Sequence, residues 1–165
     1  MEDKMDSKLR IKQATEEDIP LLLSFIKKIA EYEKLEHEVV TTEEILMESL
    51  FGEKPSAEVI FGYLDGEPVA YAVYFYNFST FIGKKGLYLE DLFVLPELRG
   101  KGVGKKMLLY LIQKASDEKC GRMEWAVLDW NELAISFYKS LGAKPMDEWS
   151  VFRMDEETIK KIVSS

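Results

Sequence analysis

The chain has 165 residues, 47% of them hydrophobic and 32% charged, with a net charge of −8. That length fits one domain, residues 1–165, with a core that buries roughly two-thirds of the unfolded surface. The acidic balance argues against nucleic acid, which needs a basic face, and suits cationic partners such as amines. The one cysteine, Cys120, permits no internal disulfide and points to a reducing compartment. With one cysteine and one histidine, a thiolate or histidine-rich metal site is disfavoured, so no metal is expected. No apolar run reaches the length of a membrane span, and Met1-Glu2-Asp3-Lys4 lacks a signal-peptide pattern. The expectation is a cytoplasmic protein with no membrane partner.

In chain order, residues 9–12 alternate as an opening strand, and Thr15-Glu16-Glu17-Asp18 starts a helix. Thr15 and Asp18 form a capping-box-like pair, with Asp in place of the usual Glu. Leu22, Phe25, Ile26 and Ile29 supply that helix's apolar stripe. Thr42 opens a second helix that stops near Gly52. Strands follow at 59–64 and 69–75, joined by Asp65-Gly66, a strong hairpin signal. Residues 77–86 read as a loop, and 87–94 as a strand ended by Pro96, which cannot donate to a sheet ladder. A helix then carries Met107, Leu108, Leu111 and Ile112 at helical spacing. The rest reads as a strand at 122–128, a helix at 131–141 ended by Gly142, a final strand at 149–154 and a short helix capped by Asp155. The order β-αα-βββ-α-β-α-β predicts an α/β layer fold with a mixed sheet flanked by helices.

The chemistry concentrates between the acidic strand Leu87-Tyr88-Leu89-Glu90-Asp91-Leu92-Phe93-Val94 and the next helix. Between them runs Arg99-Gly100-Lys101-Gly102-Val103-Gly104. Three alternate glycines leave backbone N–H groups uncovered where a helix begins, and the helix dipole favours negative charge there. A phosphate-bearing ligand is implied. The Rossmann template fails because its third glycine position is Lys105. The P-loop template fails at Arg99 and Lys106. Arg-x-x-Gly-x-Gly after a mid-chain strand remains, or else a glycine-rich turn with no ligand.

That loop resembles the pyrophosphate loop of the GNAT acyltransferases, whose ligand is acetyl-coenzyme A, and the element order matches theirs over almost the whole chain. The implied fold is the GNAT fold, with a mixed and largely antiparallel central sheet. Glu31-Tyr32-Glu33-Lys34-Leu35-Glu36, the acidic strand, Trp130-Asn131-Glu132 and Phe137-Tyr138-Lys139 resemble the spermidine/spermine and the thialysine acetyltransferases alike. The resemblance implies direct acetyl transfer to a small-molecule primary amine (a diamine, a polyamine or a lysine-like amino acid) in a ternary complex, by a homodimer. The segment Asn77-Phe78-Ser79-Thr80-Phe81 lacks the acidic residue and the tryptophan of the polyamine enzymes and looks more like the thialysine branch.

Residue by residue, the resemblance puts backbone groups of Leu92, Phe93 and Val94 on the pantetheine arm. Arg99, Gly100, Lys101, Gly102, Val103, Gly104 and Lys105 fall on the pyrophosphate. Asn131, Glu132 and Ala134 fall on the coenzyme side, and Tyr138 beside the sulfur as general acid. Tyr32, Glu33, Glu90, Asp91, Glu124, Trp125 and Ala126 match substrate-side positions. An ammonium, with a pKa near ~10.4, must lose a proton before it attacks, and a strand carboxylate can accept it. Glu90 is the candidate base; the blander reading is a solvated or ion-paired residue. Strict alternation places Tyr88, Glu90 and Leu92 on one face and Leu89, Asp91 and Phe93 on the other. Tyr138 also fits a core stripe with Ala134, Phe137 and Leu141, and Asn131 is a natural helix N-cap. Two other readings remain open: a peptide or protein N-terminal acetyltransferase, and a coenzyme A-binding module without turnover.

Overall fold

The computed structural model describes residues 8–165, so Met1-Glu2-Asp3-Lys4 lies outside the described residues. The described residues divide into two compact units, one ending at Ala126 and the other spanning residues 127–165. The first holds one five-stranded sheet in the order β1-β2-β3-β4-β5. The strands are β1 (Arg10–Gln13), β2 (Glu58–Leu64), β3 (Glu67–Ser79), β4 (Lys84–Val94) and β5 (Arg122–Trp125). The first four pair antiparallel and β5 joins β4 in parallel, a mixed and largely antiparallel sheet. Its helices are α1 (Ile19–Glu33), α2 (Glu43–Phe51) and α3 (Val103–Asp117).

Local signals in the sequence account for most boundaries. Thr15 and Asp18 close a capping box ahead of α1, and the Thr42 side chain accepts from Ile45 N at the start of α2. Asp65 (φ 51°) and Gly66 (φ 81°) both occupy the left-handed region, as a two-residue hairpin of this hand requires.

Each sheet face buries a different helix. Phe25 of α1 packs on Phe61, Tyr71 and Phe93, with ring centres 5.9, 5.3 and 6.2 Å away. Ile19, Leu22 and Val59 complete that core. On the opposite face α3 buries Val103, Met107, Leu108, Leu111 and Ala115. Ile112, expected in that stripe, is 38% exposed, and Ala115 fills the buried position one turn on.

The hairpin β3–β4 is longer than predicted: Asn77, Phe78 and Ser79 belong to β3, and the expected loop shrinks to a turn at 80–83. Pairing with β4 holds these polar and aromatic residues extended, which their composition alone does not demand. β5 stops at Trp125 rather than at 128 because its register with β4 ends there.

The second unit contains α4 (Glu132–Ser140) and α5 (Glu156–Val163). Asn131 caps α4 through its side chain, and Gly142 (φ 92°) follows its end. Asp155 caps α5 by accepting from Thr158 N. The strand expected at 149–154 is absent: the segment is irregular, with Val151 89% and Phe152 95% exposed. Its alternation suits a strand, but a ladder needs a neighbour, and no strand among the described residues pairs with it.

Candidate active site

The register of β4 against β3 decides the site. Val73 lies opposite Asp91 and Tyr74 opposite Leu89, so Glu90 is an extra residue with no counterpart on β3. This is a β-bulge, and it reverses the alternation of β4 beyond it. Directly opposed residues share a face, so Asp91 and Phe93 fall in with Val73, Tyr71 and Phe75 on the α1 side, and Tyr88 joins them opposite Phe75. The Phe75 and Tyr88 rings stack with centres 5.0 Å apart.

Two expectations are corrected by this shift. Tyr88 does not share a face with Leu92, nor Leu89 with Asp91, because alternation assumes a pleat without insertions. The two acids also act on the same surroundings: Glu33 and Tyr71 both feel the charge of Asp91 and of Glu90.

The acids meet the end of α1. Burial raises the Glu33 carboxyl above its ordinary range, and the negative charges of Asp91 and Glu90 raise it further. Burial also raises Asp91, and a hydrogen bond from Tyr71 opposes that rise. The Tyr71 hydroxyl donates to Asp91 Oδ2 at 2.8 Å. Burial and the adjoining carboxylates drive the Tyr71 phenol far up, so it stays a proton donor at working pH. Tyr71 itself was not foreseen. A tyrosine in an apolar strand is unremarkable until the register places it beside an acid; the consecutive acids at 90 and 91, which break an alternating strand, were the visible sign of the bulge.

The Arg99 guanidinium lies 4.1 Å from the centre of the Tyr32 ring and 5.2 Å from that of Phe93. Its Nε donates to the Val94 carbonyl at 3.2 Å. Tyr32, Glu33, Glu90, Asp91, Phe93 and Arg99 are thus brought into one neighbourhood. Glu124 and Trp125 lie on β5, where Glu124 accepts an ion pair from Arg122 at 2.9 Å; Ala126 follows the strand.

β5 pairs with β4 only as far as Leu89 opposite Trp125. Beyond that point Leu92, Phe93 and Val94 keep their β3 partners, while their other edge has no strand among the described residues. Such an edge can take an extended amide chain as an added strand. The glycine loop follows after a single turn at Pro96–Leu98. Gly100 (φ 76°) and Gly102 (φ 81°) are left-handed, and a Cβ at either position would meet nothing within 4 Å. Gly102 is the N-cap of α3, so the loop presents bare backbone at a helix start. Lys101 and Lys105 are exposed around it, and Val103 is buried as an anchor.

Asn131, Glu132, Ala134 and Tyr138 belong to the second unit. The Asn131 side chain accepts from Ala134 N at 3.3 Å. The stripe Ala134, Phe137, Tyr138 and Leu141 is only partly buried, so the core-tyrosine reading of Tyr138 does not hold within this unit. Phe137 and Tyr138 have ring centres 5.7 Å apart.

A bulged acidic strand, an open strand edge and a glycine-rich helix start together describe an acyl-transfer fold. The acetyltransferase (GNAT) family model matches residues 24–143, and the chain belongs to that family. It is an N-acetyltransferase, with relatives in the thialysine and spermidine/spermine branch. It is 38% identical to the thialysine N-epsilon-acetyltransferase of Bos taurus, over 92% of this chain and 95% of that one. It is 28% identical to the L-ornithine N5-acetyltransferase of Arabidopsis thaliana, over 93% and 87%. Among solved structures, an integron cassette protein from V. cholerae superposes with a TM-score of 0.79 at 25% identity, covering 95% of this chain and 98% of that one. An aminoglycoside acetyltransferase from a soil metagenome shares the fold with a TM-score of 0.72 at 20% identity, over 92% and 97%.

Proposed function

We propose that the enzyme transfers acetyl from acetyl-coenzyme A to the primary amine of a small molecule, directly, within a ternary complex. The observation that carries this reading is the grouping of Glu33, Glu90 and Asp91 beside the open edge of β4, next to the glycine loop. Three carboxylates in a half-buried site repel one another, and an ammonium ion relieves that repulsion. The coenzyme lies with its pantetheine arm along Leu92, Phe93 and Val94 and its pyrophosphate on residues 99–105, and the family resemblance adds Asn131, Glu132 and Ala134 to its contacts.

Glu90 accepts the ammonium proton, directly or through a water. The free amine attacks the thioester carbonyl carbon; the tetrahedral adduct collapses, the carbon–sulfur bond breaks, and Tyr138 gives its proton to the departing thiolate. The second proton, shed by the new amide nitrogen, passes through solvent to restore the Tyr138 phenol, and Glu90 returns its proton to water. Tyr32, Glu33, Asp91, Glu124, Trp125 and Ala126 line the amine side. The names of the relatives favour an amino acid bearing a side-chain amine, or a diamine, as acceptor. The family match crosses the boundary between the two units, which supports a single catalytic domain. The family resemblance implies a homodimer, and the exposed apolar side chains of segment 149–154 offer surface that a second copy can cover. The composition, with its single cysteine, suits the cytoplasm.

The test is thiol release from acetyl-coenzyme A with a panel of lysine analogues, ornithine, diamines, polyamines and short peptides. Turnover is expected with the small amines. Activity on peptide amino termini alone would replace this reading with an N-terminal acetyltransferase, and tight coenzyme binding without turnover would replace it with a binding module.

A further inference from the structure

Tyr71 sits in the middle of β3 with 0% of its surface exposed. Its ring is enclosed by Phe25 at 5.3 Å and Phe93 at 6.4 Å, packing that phenylalanine would provide equally well. What the hydroxyl adds is the 2.8 Å hydrogen bond to Asp91 Oδ2. A hydroxyl buried this deeply is costly unless bonded, so its presence is explained by the carboxylate it holds. We propose that Tyr71 is a positioning residue: it commits one oxygen of Asp91, fixes the carboxylate on the α1 face of β4, and leaves the other oxygen to accept from the substrate's ammonium group. The proposal deepens the amine-acetylation reading above and rests on it.

The register makes this pairing possible: Phe93 lies opposite Tyr71 and Asp91 opposite Val73, so Asp91 falls on the Tyr71 face, and the unmatched Glu90 breaks the pleat only on the Leu89 side of it. The surrounding charges are set against Asp91 being ionised. Glu33 approaches from α1 and Glu90 adjoins on β4, both acidic, while Arg99 is engaged over the Tyr32 and Phe93 rings. The phenol from β3 is the neighbour that donates to the carboxylate, and it opposes the upward push of burial. Losing the hydroxyl therefore loosens Asp91 and makes it easier to protonate.

The experiment compares wild type, Tyr71→Phe, Asp91→Asn and the double variant with one lysine analogue and one diamine, each checked by thermal melting. Tyr71→Phe should raise KM for the amine about tenfold, the size of one hydrogen bond to a charged group. kcat and KM for acetyl-coenzyme A should hold within about twofold, and the acid limb of kcat/KM for the amine should move to higher pH. In the Asp91→Asn background the same change should have almost no further effect. Equal factors in both backgrounds, or a loss confined to kcat with the acid limb unmoved, would reduce Tyr71 to a packing residue. A carboxyl NMR titration of wild type gives a readout that needs no variant to fold: the Asp91 signal should respond to added amine, and a silent Asp91 in an active enzyme would overturn the proposal. No acetyl transfer to either amine by wild type would overturn the amine reading and this inference together, whereas transfer with unlinked Tyr71 and Asp91 effects overturns the inference alone.

Discussion

Gly102 offers a clean test of the proposed coenzyme loop because a matched control exists in the same chain. Its φ is 81°, and a Cβ there would meet nothing within 4 Å. Gly102→Ala therefore creates no clash, and its stability cost is that of holding an L-residue left-handed, roughly 1–2 kcal/mol. In a domain of this size that lowers Tm by roughly 2–8 °C. Gly66 has the same φ of 81° and the same open surroundings, but it sits in the β2–β3 turn. Gly66→Ala should show the same loss of Tm. If the backbone at residues 99–105 holds the pyrophosphate, a methyl at Gly102 obstructs that approach. Forfeiting even one charge-assisted hydrogen bond there raises the Kd for coenzyme A about tenfold. Calorimetric titration with coenzyme A, with parallel melts, should thus find both variants equally destabilised and only Gly102→Ala weakened in binding. Equal Kd values in the two variants would remove the loop from the donor site. Valine is the wrong probe, since a β-branched residue at positive φ strains the backbone enough to confuse folding with binding.

Three further outcomes are expected. Tyr138→Phe keeps a partly buried ring and should leave Tm nearly unchanged while turnover falls roughly ten- to ten-thousand-fold; a Tm loss with turnover per folded enzyme intact would make Tyr138 structural. Glu90→Gln should reduce kcat most at neutral pH, with the defect shrinking toward the amine's own pKa of about 10.4; parallel pH–rate profiles with equal kcat would remove Glu90 as the base. Asp91→Asn keeps an acceptor for Tyr71 but removes a buried charge. Because the folded Asp91 carboxyl is raised above its ordinary 3.8, its ionisation costs stability as pH climbs through that raised value. The variant should therefore melt above wild type at neutral pH and converge with it below about pH 4, as thermal melts across pH would show; a constant offset would mean Asp91 is not raised.

Much of this protein was legible in its residues because the relevant forces act over a few positions. Thr15 bonds Asp18, Thr42 bonds Ile45, and Asn131 bonds Ala134, each three residues away. The Asp65-Gly66 turn and the left-handed glycines at 100 and 102 are likewise consequences of local dihedral preference. The helix starts, the hairpin and the glycine loop could thus be placed before any tertiary contact was known.

The acidic site could not be completed in that way. Which earlier residues of β4 share a face with Asp91 depends on one unmatched residue in the β3–β4 register, and that register is a property of two strands together. The bond from Tyr71 spans twenty positions in sequence, and Glu33 comes from a helix more than fifty residues before β4. The segment 149–154 shows the converse: its alternation is that of a strand, yet among the described residues no neighbour completes the ladder. Short-range bonding and backbone sterics were written in the residues themselves, whereas the faces on which the carboxylates meet were decided only by how distant strands aligned.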